Sequence, residues 1–199
     1  MKTLKIISVV LALFLLTGQN IIGQTITAKE DSIRLANTSL FQEYVKSNNY
    51  ADAVKPWELV YEKFPASTAY IYAYGAKILA WQISEAKTQE EKKALIEKLM
   101  KLYDDRIIYF GTNAKQPEGW ILGMKALDYV TYHPEDVLKK DAYNWLEKSI
   151  SLLGEKSELA FLQQYIILSS NIYLKDKMLQ TIHNLTAGAY AFTTDSGTF

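Results

Sequence analysis

Apolar residues along this chain recur three and four positions apart, the spacing that lines one face of an α-helix, and no strand or hairpin pattern interrupts them. Leu95, Leu99 and Leu102 form one such row, with Ile96, Met100, Tyr103 and Ile107 beside it. The pattern predicts helices over 31–47, 50–64, 67–86, 89–110, 117–132, 139–153 and 157–174, and a shorter one over 175–187. Local signals place the ends. Thr88 and Glu91 are spaced as a capping box, Ser67 and Ser157 stand where N-caps belong, and Gly111 and Gly154 where left-handed C-terminal residues do. Pro56 falls inside the second helix, where a bend or a tightened first turn is expected.

The segment "AYIYAYGAKILAW", Ala69 to Trp81, tests the assignment because its tyrosines alternate at first as they would in a strand. Helical spacing sorts it better. Ala69, Ala73, Ala76 and Ala80 make a seam of small residues, Tyr70, Tyr74, Lys77 and Trp81 a second stripe, and Tyr72, Leu79 and Ile83 a third. A seam of small residues lets a neighbouring helix come close, and the extension to Ile83 without a turn residue is too long for an ordinary strand.

The stretch "NTSLFQEYVKSNNYADAVKPWELVYEKFPAS" carries Leu40, Phe41 and Tyr44 on a first helix, Tyr50 and Ala53 after a turn, Trp57 at a large apolar position and Pro65 at the close. In this order they resemble one tetratricopeptide repeat, a helix-turn-helix unit of about 34 residues. "AYIYAYGAKIL" through "KKALIEKLMKLYDDRIIYFG" resembles a stretched second pair. "EGWILGMKALDYV" with "DAYNWLEKSISLLGEKSE", where Ala142, Leu146 and Ile150 repeat the second-helix pattern, resembles a third. Together, from Asp31 to Leu174, the chain is similar to secreted tetratricopeptide-like proteins of Bacteroidota. It departs from them at Phe41, where a small residue is usual, and in the tail after Lys175. The resemblance implies an all-α fold, a right-handed α-solenoid of helix pairs. It also implies a concave groove, lined by the first helix of each pair, that takes an extended peptide or a partner helix.

The N-terminus changes the expected location. Lys2 and Lys5 precede the apolar run Ile6–Leu16, followed by polar residues and the small Gly23, which is the order of an export signal. The run is shorter than the roughly 20 residues of a membrane span. Residues 1–23 are therefore expected to be a signal peptide, and residues 24–199 one repeat domain of the periplasm or cell envelope, with no membrane insertion once the signal is gone. Basic and acidic residues number 22 each, and loss of both leader lysines leaves a small acidic excess, so nucleic acid is not an expected partner. There is no cysteine, hence no disulfide framework and no thiolate metal site.

Catalytic chemistry is thinly supplied. His133 and His183 lie far apart, and "YHPED" reads as a loop between helices. Glu90–Glu91, Asp104–Asp105 and Glu135–Asp136 read as helix-start charge or solvated faces rather than a glycosidase pair. Phosphate loop, HExxH and calcium-loop motifs are all missing, so no cofactor, metal or enzymatic activity is expected. The mixed charges of "KTQEEKKALIEKLMK" support a helix through i to i+4 pairs. Asp31-Ser32-Ile33 fits a three-residue pattern that the resemblance to Bacteroidota proteins associates with periplasmic O-glycosylation, against the simpler reading of Asp31 or Ser32 as an N-cap. The candidate partner-binding residues are Tyr70, Tyr74, Lys77 and Trp81, for a protein or peptide, with glycan stacking as the rival use. Trp120, Tyr129, Tyr132 and Trp145 are lesser candidates, and Gln82 and Asn113 are the amides a sugar would need nearby.

Overall fold

A computed structural model describes residues 27–136 and 138–195, with side-chain surroundings as far as residue 184; the expected signal and its cleavage point lie outside them. The described residues are all-α. The helices are α1 (Ala28–Lys46), α2 (Tyr50–Lys63), α3 (Tyr70–Glu85), α4 (Gln89–Phe110), α5 (Glu118–Tyr132), α6 (Lys140–Leu153) and α7 (Leu159–Asp195), with one 3-10 turn at Gly154–Lys156. No helix among the described residues is long and apolar enough to cross a membrane.

Contacts divide the chain after Ala36, and the two parts are described separately. In the first, Thr27 and Glu30 close a capping box: the Glu30 N–H donates to Thr27 Oγ1 and the Thr27 N–H to Glu30 Oε2. Neither Asp31 nor Ser32 is the cap. Asp31 instead pairs with Arg34, and the Ser32 hydroxyl donates to the Ala28 carbonyl.

In the second part each helix from α2 onward packs on the next, and α5 also reaches α7. The third stripe of the tyrosine segment is the buried one: Ile71, Tyr72, Gly75, Ile78, Leu79 and Ile83 of α3 are inside. The alanine seam is only half-buried, and the close approach falls at Gly75, where a Cβ would stand 2.6 Å from Trp57 Nε1. Trp57, Ala53 and Phe41 are fully buried, whereas Leu40, expected to pack, is 43% exposed. α2 runs unbroken through Pro56, which withholds one N–H from its ladder.

The expected ends hold in part. Thr88 Oγ1 accepts from the Glu91 N–H, while Glu91 reaches back to the Lys87 N–H rather than to Thr88. Gly154 has φ +55°, a sign glycine adopts freely, whereas Gly111 is right-handed because its N–H continues the helix to the Ile107 carbonyl. α3 starts at Tyr70, not at Ser67, and the Ser157 hydroxyl turns back to the Gly154 carbonyl instead of capping α7. The two last predicted helices are one, because nothing between Leu159 and Asp195 forces a break: Lys175-Asp176-Lys177 is polar but not a helix breaker.

Candidate functional site

Four residues of α3 carry the candidate site, and the helix does set them side by side. Tyr70 and Tyr74, one turn apart, stack with ring centroids 5.6 Å apart and planes 24° apart. The Lys77 ammonium lies 5.8 Å from the Tyr74 centroid. Trp81 stacks on Tyr50 of α2 at 6.4 Å, and Phe41 of α1 meets Tyr74 edge-on at 6.3 Å.

Burial divides the stripe. Tyr74 is half-buried against the core and anchors it, Trp81 is half-buried on Tyr50, and Lys77 and Tyr70 face solvent, Tyr70 with 54% of its surface exposed. The result is an aromatic ridge rooted in the core at one ring and open at its N-terminal end. Tyr50 extends it beside Trp81, and the fully buried Phe41 supports Tyr74 from below. The amides named for a sugar are placed differently. Asn113 Oδ1 accepts from the Lys115 and Gln116 N–H groups of its own loop, while Gln82 Oε1 is buried without a donor.

The lesser candidates are tied into the region between α4 and α6. Trp120 lies under Arg106 at 5.2 Å and Trp145 under Lys125 at 4.2 Å, while Tyr129 meets Trp145 edge-on and stacks on the His133 ring. All four are half-buried, so none offers an open ring face comparable with Tyr70.

The acids also have occupations. The Tyr61 hydroxyl and the Lys101 ammonium donate to Asp105, and Lys125 pairs with Asp104. Glu135 sits 2.9 Å from His133 Nδ1, and its carboxyl is held below its ordinary range by backbone hydrogen bonding first and by His133 second. Among the described residues no group of three or more metal-ligating side chains gathers. Burial, with the Asp136 hydrogen bond next, pushes the Tyr129 phenol up to about 12.

Two buried cations escaped the sequence reading. Arg106 is 4% exposed and Lys125 is 5% exposed. Their signal was present: Lys125 stands four residues after Ile121 in an apolar row, and Arg106 four after Leu102. Close to them the Tyr103 hydroxyl donates to Asp128 at 2.6 Å, and burial raises the Asp128 carboxyl above its ordinary value, against the lowering effect of that bond.

With its folded value raised, Asp128 contributes stability that is complete below the unfolded value of about 4 and is lost as pH rises through the folded value. Asp128→Asn keeps an acceptor for Tyr103 and removes the charge. Its stability relative to wild type is expected to rise as pH climbs from about 4 through the raised folded value and then level off, read from urea midpoints at each pH. A difference that stays flat would mean the carboxylate is not desolvated.

Comparison with family models, with curated proteins and with solved structures gives no match to this chain.

Proposed function

We propose that this chain is an exported, non-enzymatic scaffold of the cell envelope, a right-handed stack of tetratricopeptide-like helix pairs that binds an extended peptide or a partner helix along α3. The observation that carries this reading is the contiguous ridge Tyr70, Tyr74, Lys77 and Trp81, anchored at Tyr74 and open at Tyr70 and Lys77. Rings held by packing lose little freedom on binding, and aromatic side chains in this setting supply much of the energy of protein recognition. The helix-on-next-helix packing of α2 to α7 supports the repeat architecture, since in such stacks each unit contacts chiefly its neighbours. Export rests on the order of charge and apolar residues from Lys2 to Gly23.

The test uses peptides selected from a random library on the immobilised chain, then titrated by fluorescence anisotropy against wild type and a Tyr70→Ala/Lys77→Ala variant. Both side chains are exposed, so the variant is expected to keep its helicity and melting temperature. Affinity is expected to fall about tenfold or more, the loss of one good aromatic contact. Peptides that bind both forms equally would remove the ridge as the site. Failure to select any peptide, with binding to a glycan array that the variant loses, would transfer the ridge to carbohydrate.

A further inference from the structure

The buried charge is concentrated at one interface. Among the described residues the buried charged side chains are Arg106 and Lys125; Arg106 lies where α4 meets α5, and Lys125 of α5 lies between the exposed Asp104 of α4 and the Trp145 ring of α6. Three polar links cross there: Tyr103 to Asp128, Lys125 to Asp104, and Arg106 to Gln116 in the loop leading into α5.

The apolar core falls into two clusters whose boundary runs through α5. One is built from α1 to α4 with Ile121 of α5, the other consists of Ala126, Ala142, Leu146, Phe161 and Leu168 on α5 to α7, and Trp120 and Met124 of α5 pack against both. By contrast, α3 buries Ile71, Tyr72, Ile78, Leu79 and Ile83 and no charged side chain.

An interface of this composition is cheap to open. Separating apolar faces only exposes them, whereas separating α4 from α5 returns buried ions to water, which offsets part of the lost contact. Arg106 gains most. No carboxylate among the described residues lies within ion-pair distance of it, and its Nε is buried without an acceptor, so water would supply a hydrogen bond that the closed state lacks.

We infer that the α4–α5 interface is a joint at which α5, α6 and α7 open together as one cooperative unit while α2, α3 and α4 stay folded. The helices carrying the aromatic ridge lie wholly before the joint, so the ridge persists when the later helices open. The inference stands on the buried polar seam and the divided core, and is independent of what the ridge binds.

Native-state hydrogen exchange, followed by mass spectrometry through sub-denaturing urea, tests it on the purified chain. Amides of α5 and α6 are expected to share one opening constant, about tenfold or more larger than that of α2 and α3, with a step between α4 and α5. A gradient from α7 backwards would be end-fraying, and it would overturn the inference, as would one common constant for all helices. Arg106→Met/Lys125→Met, which replaces the seam's cations with apolar chains of similar length, is expected to shrink the step at least threefold. An unchanged or larger step in a folded variant would overturn the assignment of the joint to the buried charge. If the double variant fails to fold, Arg106→Met alone is read in the same way, and the wild-type profile alone still decides whether the joint exists.

Discussion

Trp57→Ala is expected to lower the unfolding free energy by about 4 kcal/mol, the range for truncating a fully buried aromatic. For a chain of this size that is a fall of roughly 10 °C or more in melting temperature. The indole is 0% exposed and is used on every side. Its N–H donates to the Ile71 carbonyl at 2.8 Å, joining α2 to the first turn of α3. One ring face stacks on Tyr61 at 5.4 Å, and the Lys98 ammonium of α4 lies 5.2 Å from the ring centroid while pairing with Glu58. Gly75 leaves the space that the indole edge occupies. Alanine would therefore open a cavity where three helices meet, with a glycine on one wall that cannot fill it. Trp57→Phe, which keeps a ring but loses the N–H donor, is expected to cost about 1–2 kcal/mol. Urea denaturation of both variants checks the ranking. Near-equal losses would show that the hydrogen bond, and not the volume, dominates.

At the other cluster the largest effect is expected from Phe161→Ala, about 3–5 kcal/mol, because that ring is 1% exposed and fills the space left by Gly123 on α5. A Cβ at Gly123 would overlap the Phe161 ring edge. Gly123→Ala is thus expected to destabilise by about 1–3 kcal/mol through overpacking, although alanine is the better helix former by about 1 kcal/mol. The two substitutions share one volume and should not add. With Phe161→Leu as background, Gly123→Ala is expected to cost at least about 1 kcal/mol less than it does alone. Strict additivity in that cycle would mean the ring is not what excludes the methyl group.

The joint makes these two substitutions distinguishable. Trp57 belongs to the first apolar cluster and Phe161 to the second. Trp57→Ala should therefore reduce exchange protection most in α2 to α4, and Phe161→Ala most in α5 to α7, each with the smaller effect across the seam.

Much of this was legible in the chain. A spacing of three and four specified helices because one buried stripe per helix is a local, periodic requirement, and among the described residues it recovered six of the seven helices, with ends within about three residues. The exception is α7, expected as two helices over 157–174 and 175–187 and found as one from Leu159 to Asp195. On α3 the stripe of Tyr72, Leu79 and Ile83 went inside together with Ile71, Gly75 and Ile78, while the alanine seam stayed half-buried and the close approach fell at Gly75.

By itself, then, the sequence determined the helical class of the described residues, their order, and the grouping of Tyr70, Tyr74, Lys77 and Trp81 on one face, all consequences of spacing along a single helix. Only the tertiary structure decided which of those side chains remain open, because exposure depends on the neighbours that Phe41 and Tyr50 supply from other helices. It also decided that Arg106 and Lys125 are interior. A long charged side chain on a half-apolar helix can reach water or lie across a neighbour, and the choice is made by what the neighbour presents: Trp120 and Trp145 as ring faces, Gln116 and Asp104 as acceptors.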